Sequence, residues 1–266
     1  MFVRRHWAKI EEKLWIDGEE LKISCYGGSN ESLADAEDEA RKKVKLIESK
    51  IKGDYSPLEN YVVEIREELV EEIDERNIVT RNRYGVLVLN SEDHIFLDLD
   101  EPKYGFFDIF KSYSLKMKKE KIRQQAIKVA DSQYKDLSFR IYETRRGYRV
   151  VAIGKNIAAN SELAKSLYKK FNCDPVYSKL CEKQECYRAR LTPKPSNMKY
   201  KGFRNKYPRT EGEQNAFDEW LEGYKEKSKN YAVCKVIDSI RETRYLDEVI
   251  TYHDEVCKVE SDLPLA

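Results

Sequence analysis

Apolar and polar residues alternate along this chain with two different periods, and the switches between them outline its elements. Leu21 to Tyr26 reads as a short strand, followed by a turn at Gly27-Gly28-Ser29-Asn30. Ser32 is suited to cap a helix over about 33–51, where Ala36, Ala40, Val44 and Ile47 recur at helical spacing. A loop at Gly53 to Pro57 leads to a second acidic segment, about Tyr61 to Asp74, which the pattern predicts to be helical. Period two then takes over. Gly85 to Leu89 and Ile95 to Asp100 are β-rich runs joined by Asn90-Ser91-Glu92-Asp93, which predicts a hairpin. A long basic helix is expected from about Tyr113 to Gln133, and a second hairpin from Phe139–Thr144 and Tyr148–Ile153 across Arg145-Arg146-Gly147.

Further on, Ser161 caps a predicted helix to about Phe171, and a short helix covers Asp174 to Lys183. Cys186 to Leu191 predicts a strand ended by Pro193 and Pro195, and Lys194 to Glu213 a basic loop. A helix near Gln214 to Tyr224 and two strands, about Tyr231 to Asp238 and Val249 to Tyr252, complete the pattern. The fold class expected is α+β, with a mainly antiparallel sheet, helices packed on it and a small N-terminal strand–helix module. The expected division is an acidic module over 1–76 and an α+β domain over 77–266.

Composition narrows the class. The chain has 266 residues, 41% of them hydrophobic, with 18 Tyr and 9 Phe, too rich in core-forming residues for a disordered chain. The sequence contains no apolar run long enough to span a bilayer, and six cysteines are too few for a secreted disulfide scaffold, so a cytoplasmic location is expected. The formal net charge is only +1. That figure hides a segregation: Lys111 to Arg209 holds 26 Lys and Arg against 8 Asp and Glu, a net of +18, while the rest holds 23 against 40, a net of −17. A basic block interleaved with Tyr and Phe suits a phosphate-bearing partner, a nucleotide or nucleic acid. The competing expectation is that acidic segments neutralise the block within the fold.

Candidate chemistry falls at the ends of the predicted strands. Asp98 and Asp100 lie two apart on a strand, so both carboxylates face one side. Oxygen ligands so paired suit Mg²⁺ or Mn²⁺. Around them, Arg81 and Arg83 precede the first hairpin, Arg146 and Arg149 flank Gly147, and Arg188, Arg190 and Lys194 occupy or follow a later strand. Arginine forks onto phosphate oxygens, which makes these seven the candidate phosphate-binding residues. Cys173, Cys181, Cys186, His253 and Cys257 lack the tight knuckle spacing of a structural zinc site and are expected to be buried thiols, a composite Zn²⁺ site being the alternative. His253-Asp254, in a segment that reads as a strand, is either an orienting acid–base pair or a structural histidine. P-loop, dinucleotide-fold and serine-elbow motifs are absent from the sequence.

Two resemblances rest on these residues. Thr80-Arg81-Asn82-Arg83-Tyr84-Gly85, Asp98-Leu99-Asp100, Tyr142 to Arg149 and Gln184 to Pro195 resemble the motifs of an uncharacterised bacterial protein family, from about Thr80 to the C-terminus. The order of hairpin with Asp-x-Asp, helix, hairpin with a Gly-aromatic turn, helix and Arg-bearing strand is similar to the palm of the archaeo-eukaryotic primase superfamily, an RRM-like fold. That resemblance implies divalent metal on Asp98 and Asp100, with a third carboxylate at Asp238 or, failing that, Asp254. It also implies a phosphate-contacting histidine two residues after the glycine, where this chain has Arg149. The implied function is nucleotide or nucleic-acid binding on a primase-polymerase-like palm, either a metal-dependent nucleotidyltransferase or a degenerate one. The alternative is a non-catalytic nucleic-acid-binding or regulatory protein using its basic face.

Overall fold

A computed structural model describes the chain except residues 17, 54–65, 101–114, 205–206 and 242–245. The architecture is α+β, with helices packed on antiparallel sheets. An N-terminal hairpin pairs β1 (His6–Ile16) with β2 (Glu19–Ser29) along their whole length. Helix α1 (Leu33–Ile51) packs on it through Ala36, Ala40 and Val44, and Ser32 accepts the Asp35 N–H at 3.1 Å as the N-cap. Gly27 permits this contact, because a Cβ there would lie 1.9 Å from the carbonyl oxygen of Ala36.

The remaining strands form two four-stranded sheets. In the first, β3 (Glu68–Asp74), β4 (Asn77–Arg81), β5 (Leu87–Ser91) and β9 (Tyr187–Arg190) lie side by side in that order. In the second the order is β10 (Cys234–Ile240), β7 (Ser138–Thr144), β8 (Tyr148–Ile153) and β6 (Ile95–Leu99). Ile95, Leu97 and Leu99 on one face of β6 join Val150, Ala152 and Ile141 in a core that also takes in Ala126 and Ala130 of α2 (Leu115–Gln133). Helices α3 (Glu162–Lys170), α4 (Pro175–Gln184) and α5 (Glu211–Ser228) begin at the N-caps Ser161, Asp174 and Thr210, each accepting a backbone N–H. Helix α6 (Glu248–Cys257) fills the angle between the two sheets. His253 lies 5.2 Å from the ring of Phe96 in one sheet, and Tyr252 donates to Glu71 of the other at 2.7 Å.

Three expectations are corrected. Residues 68–74 are an extended edge strand, not the end of a helix; Leu69 and Glu72 pair with Thr80 and Ile78, and tertiary pairing overrides the helical tendency of Glu. The rest of that predicted helix lies mostly outside the described residues. Residues 249–252 are helical, because Asp247 caps α6 and Ile250, His253 and Cys257 share its buried face. Strands β5 and β6 do not form a hairpin: they run into different sheets, β5 between β4 and β9 and β6 beside β8. Because β3 pairs with β4, a boundary at residue 76 cuts through one sheet, and the appended hairpin-and-helix unit spans β1 to α1.

Candidate nucleotide-binding cleft

The strand ends β6, β8 and β9 open onto a single cleft of about 860 Å³ between the two sheets. Asp98 and Asp100 line it together with Arg83, Arg146, Arg149, Arg188, Arg190 and Lys194. Alternation along β6 puts Phe96, Asp98 and Asp100 on the face opposite Ile95, Leu97 and Leu99, with Phe96 buried against His253 and the two aspartates lining the cleft. The β6–β8 register sets Asp98 directly opposite Arg149. The Asp98 carbonyl is in turn held by the N–H of Asp174 at 3.0 Å, the Phe96 carbonyl by the Tyr177 hydroxyl at 2.5 Å, so α4 fixes the strand that carries the carboxylates.

Gly147 brings the arginines up to the carboxylates. A Cβ at this position would lie 2.0 Å from the Leu99 carbonyl oxygen and 3.1 Å from Asp100 Cα. The glycine therefore serves a close approach between the β7–β8 turn and the end of β6. Thr144 closes that turn by accepting the Gly147 N–H at 3.1 Å. Arg145 reaches across to the Asn197 carbonyl at 2.8 Å, tying the turn to the segment that follows β9.

Electrostatically the site is a cationic wall around two acids. Burial and the neighbouring charge of Asp100 push the Asp98 carboxyl above its ordinary range, against Arg149, Arg190 and Lys194, which pull it down. Two carboxylates so opposed are relieved by a cation between them. Burial and the Arg149 charge lower Arg190. Arg146 and Lys194 are solvent-exposed at the rim, as are Arg83 and Tyr84 of the β4–β5 turn. Val176 and Leu180 of α4 add an apolar ledge.

The seven basic residues do not share one environment. Arg188 is buried, and its guanidinium is spent on a bidentate pair with Glu67 at 2.8 and 2.9 Å and on Asn90 and Gln184, both at 2.7 Å. It organises the cleft floor. Arg81 does not line the cleft: it donates to the Gly85 carbonyl at 3.1 Å and faces a small separate cavity with Arg66, Arg209 and Phe217. Asp238 is not brought to the carboxylates either; it sits on β10, paired with Arg123 at 2.7 Å. Asp254 is equally apart from the cleft lining, held by Arg140 at 2.8 Å and by His253.

Part of the basic block is neutralised within the fold. Glu67, Glu68, Asp238 and Asp254 pair with Arg188, Arg209, Arg123 and Arg140. The acids of α1 are instead matched by the helix's own bases, Arg41 with Glu37 and Asp38, Lys42 with Glu39 and Lys52 with Glu48.

Behind the cleft lies a buried cluster that the spacing of the cysteines did not reveal. Arg149 passes from Asp98 to His253, donating from Nη1 to Nε2 at 2.7 Å, with Cys234 and Cys257 sulfurs at 4.0 and 3.8 Å. Burial, the dominant influence on both thiols, opposes ionisation. A hydrogen bond from Cys257 and the Arg149 charge nonetheless hold Cys234 well below the usual thiol range, while Cys257 is pushed up. Cys173, Cys181 and Cys186 are buried free thiols elsewhere, each raised by burial. Among the described residues no helix is long and apolar enough to cross a membrane.

Compared with protein-family models, curated proteins and solved structures, the chain matches none.

Proposed function

We propose that the cleft binds the phosphate groups of a nucleotide or a nucleic-acid strand, through a divalent cation on Asp98 and Asp100 and through the surrounding bases. The observation that carries this reading is the presence of both carboxylates and of Arg83, Arg146, Arg149, Arg190 and Lys194 in one cleft. The donors are carboxylate oxygens, which suit Mg²⁺ or Mn²⁺. When bound, such an ion neutralises phosphate charge and polarises a phosphoryl oxygen. Arg146 and Lys194 supply cationic contacts, and the exposed Tyr84 ring supplies a stacking surface for a base. The resulting class is a primase-polymerase-like palm, working in the cytoplasm in keeping with six free thiols.

A second reading, binding without catalysis, is favoured by one specific observation. Asp238 is engaged with Arg123 away from the cleft, so the described lining supplies two aspartates and Glu67, the last already paired with Arg188. On this reading the palm has lost nucleotidyl transfer and retains its basic face.

Calorimetry with Mn²⁺ and a nucleoside triphosphate tests the metal reading. Asp98→Asn with Asp100→Asn is expected to abolish Mn²⁺ binding and to weaken the nucleotide by at least tenfold; unchanged binding overturns it. Filter binding of single-stranded nucleic acid over a salt series separates the two readings. Chelator-sensitive binding supports the metal-bridged site and chelator-indifferent binding the plain basic face. No binding at low salt overturns both.

A further inference from the structure

We propose that Cys234, His253 and Cys257 form a Zn²⁺ site of Cys₂His type, buried behind the cleft and distinct from the cation site on Asp98 and Asp100. Their ligating atoms lie within 4.8 Å of one another and all three side chains are fully buried. His253 and Cys257 stand one turn apart on α6, and Cys234 is the first residue of β10. The N–H of Val233 donates to the Cys257 carbonyl at 3.0 Å, so the two elements are already locked together at the cluster.

The imidazole is prepared for a metal from behind. Asp254 Oδ1 lies 2.7 Å from His253 Nδ1, and Arg140 holds the other carboxylate oxygen at 2.8 Å. A carboxylate in that place puts the ring proton on Nδ1 and leaves the Nε2 lone pair directed at the thiols. This is the outer-shell arrangement that orients and strengthens metal-ligating histidines. Two sulfurs and an imidazole nitrogen are a poor set for Mg²⁺ or Ca²⁺ and a good one for Zn²⁺.

The cluster already faces a cationic group. Arg149 Nη1 lies 2.7 Å from Nε2 and 4.0 and 3.8 Å from the two sulfurs, so a positive charge already stands against all three ligating atoms. Zn²⁺ with two thiolates and a neutral imidazole carries no net charge, and loading releases whatever protons the two thiols still hold. Nη1 must yield to the ion, which leaves Arg149 to its partner across the ladder, Asp98. Three protein ligands would leave a fourth position open. Zinc thereby ties α6 to β10 and sets where the Arg149 charge is spent.

Full-length protein produced in cobalt-supplemented, reducing conditions tests this directly. The expected result is one equivalent of Co²⁺ per chain, with tetrahedral ligand-field bands and thiolate-to-cobalt charge-transfer bands that one equivalent of Zn²⁺ erases. Cys257→Ser is expected to reduce the charge-transfer intensity by about half. Asp254→Asn, a change to a positioning residue, keeps the bands and weakens affinity by about 10- to 100-fold. Asp98→Asn with Asp100→Asn leaves the bands unchanged, which separates this site from the cleft. Folded wild-type protein without charge-transfer absorption overturns the proposal, as do bands that Cys257→Ser leaves intact. If Cys257→Ser does not fold, the wild-type and Asp254→Asn spectra decide.

Discussion

Asp98 and Arg149 face each other across the β6–β8 ladder, and the same guanidinium also donates to His253 at 2.7 Å. One buried cation thus serves an acid at the cleft and a histidine–thiol cluster behind it. Burial opposes its charge, and Cys234, Cys257 and Asp98 around it more than compensate, so it stays charged. Arg149→Met removes the buried cation that Asp98 and the histidine–thiol cluster share. Urea denaturation is expected to register a loss of about 3–5 kcal/mol. Arg146→Ala, at an exposed position of the same turn, is expected to stay within about 0.5 kcal/mol of the parent. Its effect belongs to binding instead: the slope of log K against log salt falls by about one. Equal stability losses in the two variants would refute the division of roles.

Gly147 allows the arginine turn to touch the carboxylate strand. Gly147→Ala drives a Cβ into the Leu99 carbonyl, from which it would stand only 2.0 Å, so the backbone must separate. Stability is expected to fall by about 1–3 kcal/mol, and cation binding at Asp100 to fall with it. Gly202→Ala is the control, since nothing lies within 4 Å of its added Cβ. Equilibrium unfolding and Mn²⁺ calorimetry on both variants check this.

Arg188 behaves as a floor beam of the cleft. Glu67 and Arg188 are each buried, and among the described residues the guanidinium bonds to Glu67, Asn90 and Gln184. Removing one partner of such a pair leaves a buried charge exposed to the low-dielectric interior. Glu67→Ala is therefore expected to cost about 3–5 kcal/mol in urea unfolding. A full-stability Glu67→Ala protein would show that Arg188 finds another partner.

The strands and caps around the site were legible in the sequence, and the partners were not. Alternation in Ile95–Leu99 and Tyr148–Ile153 is unambiguous, and Ser161 and Asp174-Pro175 announce α3 and α4. What failed was non-local. Strand β6 leaves its sequence neighbour β5 to pair with β8, some fifty residues later. Glu67 reaches Arg188 across 121 positions, which turned a candidate phosphate ligand into a structural one. Residues 249–252 are β-branched or aromatic and read as a strand until Asp247 caps them into α6. A strand at this place would put His253 and Cys257 on no common helical face, and no local spacing links either to Cys234.

His94 couples the same helix to pH. Its Nδ1 lies 2.7 Å from Asp93 and its Nε2 3.1 Å from Asp247, the N-cap of α6. Burial lowers the basicity of the ring, but the hydrogen bond and charge of Asp247, then those of Asp93, outweigh it, and the imidazole is raised above its ordinary value. Burial likewise disfavours the two carboxylates in charged form, yet His94 holds both below their usual range. The signs fix the window. A raised histidine stabilises fully below its unfolded value of about 6.5 and loses that contribution as pH climbs through the folded value. The depressed aspartates stabilise above about 4 and lose it as pH falls. Their common contribution is therefore largest between about pH 4.5 and 6. Thermal melts of His94→Gln against the parent are expected to differ most in that range and to converge as pH rises through the raised value of the imidazole. A gap independent of pH would mean that His94 acts by packing, with no imidazolium holding the cap of α6.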